Sequence, residues 1–350
     1  MNNSTTPGID VNTTDQDSAS VFAKFMTAGV VIGFVGFVEN LISLIALLNM
    51  RRPFEAFHLL LINLAVSDLV VVGLAAVGSL IMLVNFNLDQ CDSMVFVARV
   101  IMEMSYIALL TPVLATSALV VNQYLAITKP LRYQTIATQR RIAGSIIALW
   151  VATALIGVIL HIAGYPKLFE DPGCNIYGEN SNYLVIRSAT FTVLLILITA
   201  LVVIVYIQMF YAIKQRVLTS AVHQQERSHH ADHKLNITIA ILFGTVLLFW
   251  IPGIADSILV IFMMAGTHFT MEFVIFHQVT NLLFLANALI DPFIYGIRLQ
   301  EVRAGYQKLF RHLSKLPCSE EDAFFKEKNR KVSYTQCHTT TTEDVKTSNI

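Results

Sequence analysis

Seven stretches of this chain are each long and apolar enough to cross a bilayer, and no other feature narrows the fold as far. They run about 25–50, 56–84, 93–123, 142–163, 184–213, 235–264 and 272–297. A spanning helix needs roughly 20 mainly apolar residues, because each residue advances only about 1.5 Å through a hydrocarbon core about 30 Å thick. The expected architecture is an all-α membrane protein, a seven-transmembrane helix bundle. Composition agrees: charged residues make up 14% of the chain, against about 25% in a soluble domain. Basic and acidic residues balance at 24 each, which leaves no global field to draw in nucleic acid.

Basic residues set the orientation. All of the 24 except Lys24, Arg99, Lys167 and Arg187 fall in loops 51–55, 129–141 and 214–234 or after residue 297. Loops of that kind face the cytoplasm. The polar segment 1–24 is then expected outside the plasma membrane, with sequons at Asn2, Asn3 and Asn12 open to glycosylation. Cys91 and Cys174 fall on the oxidising side and are expected to bridge, the alternative being two separate thiols; Cys318 and Cys337 fall on the reducing side. Beyond the 25–297 domain, Leu299, Val302, Tyr306, Leu309 and Phe310 recur at helical spacing among basic residues. Residues 298–313 therefore predict an amphipathic helix lying on membrane lipid. The tail 314–350 is too polar to fold alone. The chain shows no internal repeat of the kind transporters carry. No nucleophile–base pairing or metal-ligand spacing points to an enzyme.

Local signatures mark the interior of these segments: Asp68 in Leu64-Ala65-Val66-Ser67-Asp68-Leu69, Trp250 in Phe249-Trp250-Ile251-Pro252, and Asp291 and Tyr295 in Asp291-Pro292-Phe293-Ile294-Tyr295. A carboxylate in hydrocarbon costs several kcal/mol unless it faces a polar interior, so the two aspartates predict a polar centre. Pro252 and Pro292 each break a helix, which lipid permits only where neighbouring groups satisfy the freed backbone.

Taken in order, Asn40, Asp68, Trp150, Tyr206, Trp250 with Pro252, Pro292 with Tyr295, and the Lys129-Pro130-Leu131-Arg132-Tyr133 loop resemble a rhodopsin-like (class A) G-protein-coupled receptor over about residues 25–315. Glu39-Asn40, the missing fifth-helix proline (Ile198 stands about there) and Asp291-Pro292 place the resemblance nearest the melanocortin, cannabinoid and lysophospholipid receptors. It implies an extracellular ligand, with a heterotrimeric G protein and arrestin as partners. Asn40, Asp68, Asn287 and Asp291 would hold a sodium ion at rest, the alternative being one protonated aspartate and a water network. No other cofactor is implied. Trp250, Pro252, Tyr206, Pro292 and Tyr295 would form the switch. The ligand pocket would lie between helices three, five, six and seven, with Ser105, Leu109, Arg187, Phe249 and Leu285 in its lining. That lining suits a hydrophobic, amphipathic or peptide ligand, with Arg187 meeting an anionic head group. Ser105 stands where amine receptors carry an aspartate, so a classical amine is not expected. Arg99 and Glu103, four apart on one helix, are expected to pair with each other.

The departures from the family bear on signalling. The family's Asp/Glu-Arg-Tyr is here Asn122-Gln123-Tyr124, with Asp232 as the expected acidic partner from helix six. A glutamine there can form a hydrogen bond but no ion pair. The change implies either raised basal activity or feeble G-protein engagement. It also motivates a second reading, a non-signalling scaffold or partner receptor. The Lys-Pro-Leu-Arg-Tyr loop motivates a third, an odorant-type chemosensory receptor. Pro112 sits mid-helix, near a position where relatives carry a small polar residue. In the tail, Cys318 follows the amphipathic helix closely enough for palmitoylation. Phosphorylation of Thr339–Thr342 would present an arrestin-type anionic patch. The end, with Ser348 and the carboxylate of Ile350, matches a PDZ-domain ligand.

Overall fold

The computed structural model describes residues 11–50, 55–85, 93–164, 181–222, 244–245, 247–263, 270–298 and 300–314. They are helical almost throughout. In order come α1 (Val11–Leu48), α2 (Ala56–Val84), α3 (Ser93–Ala108), α4 (Leu110–Thr128), α5 (Pro130–Ile136), α6 (Gln139–Gly164) and α7 (Ser181–Val222). Then follow α8 (Leu247–Met263), α9 (Met271–Arg298) and α10 (Gln300–Ser314). Ser20–Leu48, Ala56–Val84, Val100–Thr128, Gln139–Leu160, Val185–Gln215 and Met271–Ile294 have the length and apolarity of membrane spans, and α8 is a shorter apolar helix. With α3 and α4 forming one crossing, the described residues make a seven-helix bundle plus a surface helix. Two boundaries differ from the sequence expectation. α1 begins at Val11 and so takes in Asn12, and α7 runs on to Val222, past residue 213. Apolarity marks the membrane-crossing stretch of a helix, and polar turns at either end carry no such signal.

The third crossing is split because of Pro112. A proline lacks the N–H that would bond the carbonyl four residues earlier, here that of Ala108. The Thr111 hydroxyl donates to that carbonyl at 2.5 Å instead. α3 stops at Ala108, Leu109 forms a turn, and α4 resumes at Leu110. The freed carbonyl is thus satisfied inside the membrane, as lipid requires.

α2 is the central element, packing on α1, α3, α4, α6 and α9, while α4 packs on α7. Leu60, Leu61, Leu64, Val71 and Val72 of α2 are fully buried. Trp150 of α6 donates its indole N–H to Asn63 of α2 at 2.9 Å, fixing that contact. Large apolar side chains point outward, among them Phe34, Ile147, Leu197 and Phe262. An outward apolar surface of this extent is what hydrocarbon covers.

At the basic end, Pro130 starts α5 at the first helical position, where its missing N–H costs nothing. α10 docks under α1. A side chain at Gly305 would meet the Ala46 carbonyl at 2.6 Å, so glycine permits the close approach. Lys308 donates to the carbonyl of Asn49 at 3.4 Å. Burial raises the pKa of the Tyr306 hydroxyl above its ordinary value; a hydrogen bond with Ser43 opposes the rise and the Glu39 charge adds to it.

Candidate functional site

The polar centre assembles from α1, α2 and α9. Asn40, Asp68 and Asp291 are all buried. With Ser43 and Pro292 they line a cavity of about 10 Å³, the room one water or one small cation takes. Asn40 turns its amide nitrogen away from it, donating to the carbonyls of Gly36 at 3.0 Å and Ala288 at 2.8 Å. Both carboxylate oxygens of Asp68 and Oδ2 of Asp291 have no hydrogen-bond partner among the described residues. Two carboxylates this close in low dielectric need a cation or a shared proton between them. The donor set therefore fits a sodium ion. Asn287 is half-buried and is not part of this lining.

Towards the end away from the basic loops, an aromatic chain crosses the bundle. The Arg187 guanidinium of α7 lies 4.6 Å over the Tyr106 ring of α3. Tyr106 packs on Phe191 with ring centroids 4.8 Å apart. Phe191 meets Phe284 of α9 edge-on at 6.2 Å. The Phe284 ring then fills the space where a side chain at Gly253 of α8 would stand. Gly253 follows Pro252 directly; α8 stays helical from Leu247 to Met263 rather than breaking at that proline, and its contact with α9 falls there. Trp250 and Phe249 are buried one turn earlier. Tyr206 and Pro292 are buried too, whereas the Tyr295 side chain lies outside the described residues.

The acids and bases here correct one expectation and add a pair. Arg187 forms an ion pair with Glu103 across α7 and α3, with side chains 13% and 4% exposed. It is therefore not open to an anionic ligand, and Glu103 reaches across to another helix. The Arg99 side chain lies outside the described residues. The second pair is new to the structure. His277 Nδ1 of α9 lies 2.9 Å from Asp256 Oδ2 of α8, and its Nε2 lies 3.1 Å from Asn281 Nδ2.

A cavity of about 110 Å³ opens beside these groups, lined from α1, α2, α3 and α9. Ser105, Leu109 and Leu285 line it, joined by Ser79, Tyr106 and Asn281. Phe249 and Arg187 do not line it. This cavity lies toward α1 and α2, beside α3 and α9. None of its lining side chains is charged. Ser105 donates to the Val71 carbonyl at 3.3 Å, so its hydrogen is already engaged.

At the basic end, the Tyr133 hydroxyl of α5 donates to Asn122 Oδ1 at 3.2 Å. Gln123 Oε1 is buried with no partner among the described residues. Tyr124 is half-buried. Leu131, two residues into α5, is 96% exposed beside Lys129 and Arg132. Asp232, Cys91, Cys174, Asn2, Asn3, Cys318, Ser348 and Ile350 lie outside the described residues, as does the Asn12 side chain. Leu131, Tyr106, Phe284 and the Asp256–His277 pair escaped sequence reasoning. Only the last left a signal, two ionisable residues placed in apolar segments.

The bundle of apolar helices around a buried polar centre is that of a multi-pass membrane protein; α9 runs unbroken through Pro292. Residues 39–295 match the family described as 7 transmembrane receptor (rhodopsin family), and the chain belongs to that family. It is similar to melanocortin receptor 4 of Danio rerio, 25% identical over 283 residues, which cover 79% of this chain and 81% of that one. The relative falls in the branch that Glu39-Asn40 and Asp291-Pro292 indicate.

Proposed function

We propose that this rhodopsin-family signalling receptor binds a small, uncharged, largely apolar ligand in the cavity between α1, α2, α3 and α9, and transmits binding to α8. The observation that carries the reading is the lining: Ser105, Leu109 and Leu285 converge on it and no charged side chain joins them. The aromatic chain from Tyr106, itself in the lining, through Phe191 and Phe284 to Gly253 supplies the contact with α8 beside Pro252. α8 is the bistable element, biased by ligand from one end and by a G protein, then arrestin, from the other. Asp68, Asp291 and Ser43 would hold sodium in the resting state, and the ion's charge would settle the two carboxylates. The resting latch at the basic end is weak. Asn122 holds Tyr133 by a neutral hydrogen bond, and Gln123 has no charge to pair. Basal activity is therefore raised. The receptor sits in the plasma membrane with its N-terminus outside, glycosylated at Asn2, Asn3 and Asn12, bridged at Cys91–Cys174, palmitoylated at Cys318 and ending in a PDZ ligand.

A cell-based second-messenger screen of uncharged amphipaths against amines tests this. Activators are expected among the first class, and they should lose potency in Ala75→Leu, which fills the cavity. Activation only by amines, or activation indifferent to Ala75→Leu, would overturn the reading. The Asn122-Gln123-Tyr124 sequence favours one alternative, a non-signalling partner receptor. In that case Gln123→Arg would also stay silent.

A further inference from the structure

Asn281 joins the cavity to an ionisable pair. It lines the cavity with Gln278, and it stands one turn from His277 on α9. The imidazole is held on three sides. Phe273 stacks on it with centroids 6.2 Å apart. Asp256 Oδ1 and Oδ2 lie 3.0 and 2.9 Å from Nδ1, and Asn281 Nδ2 lies 3.1 Å from Nε2. The Asp256 side chain is only 5% exposed, that of His277 29%.

Hydrogen-bond chemistry fixes the rest. A neutral imidazole donates from one nitrogen and accepts at the other, and an ionised carboxylate only accepts. Facing Asp256, Nδ1 must carry the proton. Nε2 then accepts, and Asn281 must give it an amide N–H. That orientation leaves the carbonyl oxygen as the amide atom turned from His277, on a residue that lines the cavity. A second proton on His277 makes both ring nitrogens donors. An amide N–H can no longer face Nε2, so the Asn281 amide must turn over. Its oxygen goes to the imidazolium and its NH₂ to the cavity.

We infer that the proton on His277 sets the hydrogen-bond polarity of the ligand cavity through Asn281. With neutral His277 the cavity takes an uncharged ligand that donates a hydrogen bond; with His277 protonated it takes one that accepts. The inference rests on the cavity being the ligand site proposed above. The surrounding charges permit it. Asp256 of α8 touches His277, and beyond it the Glu103–Arg187 pair of α3 and α7 flanks Tyr106. That pair is already neutral as a unit, so an imidazolium beside Asp256 completes a second neutral pair. Glu272 of α9 and Lys24 of α1 are exposed, and α2 places no acid or base in the cavity lining.

Pyrrole and cyclopentanone test it. They are five-membered rings of similar size, the first a hydrogen-bond donor, the second an acceptor. Binding to the full-length receptor in lipid nanodiscs would be followed by saturation-transfer NMR at about pH 5 and about pH 8, either side of the range where imidazole ordinarily changes charge. Empty nanodiscs serve as the blank. The expected result is preference for pyrrole at the higher pH and for cyclopentanone at the lower. The ratio should swing by about tenfold, the factor that about 1.4 kcal/mol gives. The swing should vanish in His277→Gln and in Asn281→Leu, and binding of both probes should fall in Ala75→Leu, or in Leu282→Phe should the first variant not fold. Binding whose preference ignores pH, or whose swing survives in His277→Gln, overturns the inference and leaves the cavity as a ligand site. Binding of neither probe, or binding untouched by both cavity-filling variants, overturns the cavity reading and the inference with it.

Discussion

Replacing Glu103 by glutamine tests whether the Arg187–Glu103 pair holds α7 to α3. Both groups are largely removed from water, with side chains 4% and 13% exposed. Glu103→Gln keeps the shape but takes the carboxylate charge away from the guanidinium. Removing one partner of a buried pair typically costs about 3–5 kcal/mol, because the remaining charge is uncompensated. Here Tyr106 still offers its ring 4.6 Å away, and a cation–π contact of that kind returns roughly 0.5–2 kcal/mol. The net loss should be near the low end, about 3 kcal/mol. Unfolding of a protein like this is judged by a rate. If the whole loss appears in the unfolding step, the half-life shortens by up to about 100-fold. The assay is thermal inactivation of the receptor in nanodiscs, followed by tryptophan fluorescence. The double variant Glu103→Leu with Arg187→Met removes both charges and should come within about 1 kcal/mol of wild type or exceed it. A single variant as durable as wild type, or a double variant as fragile as the single, would refute the reasoning.

Other perturbations follow from the same contacts. Gly253→Ala drives a methyl group into the Phe284 ring and should destabilise by about 1–3 kcal/mol, with the loss reversed by Phe284→Leu in a thermal-shift series. Asp68→Asn removes one of the two facing carboxylates, so added sodium should slow wild-type inactivation and leave the variant unaffected. Leu131→Ala should lower G-protein coupling at unchanged surface expression, measured as second-messenger output, because a leucine 96% exposed between Lys129 and Arg132 offers a partner at this end an apolar contact. Gly305→Ala should loosen α10 from α1, since a side chain there meets a backbone carbonyl at 2.6 Å; proteolysis of the tail should then begin earlier within 300–314.

Long apolar runs made the bundle legible, since backbone physics leaves a chain in hydrocarbon few options. The polar centre was legible for the same reason: Asp68 and Asp291 are expensive wherever they are not needed. Pro112 stood out only as a proline in mid-helix; the structure shows the break there and its remedy, the Thr111 hydroxyl on the Ala108 carbonyl, while α8 and α9 run through Pro252 and Pro292 unbroken. Pairings between helices were not readable. Glu103 offered a partner four residues away, and its pairing with Arg187 depends on how α3 and α7 face each other. Ser105, Leu109 and Leu285 share the lining of one cavity, and its opening toward α1 and α2 depends on packing around Tyr106 that no local pattern encodes. Leu131 left no mark because exposure on a seven-residue helix is a tertiary fact.

The central claim is that the basic end of this bundle engages a G protein despite Asn122-Gln123-Tyr124. The most direct test is nucleotide exchange on purified heterotrimers of each class, driven by ligand-free receptor in nanodiscs, with Gln123→Arg beside wild type. The account predicts that wild type accelerates exchange in at least one class above empty nanodiscs. Exchange at the blank rate in every class, from both wild type and Gln123→Arg, would contradict it.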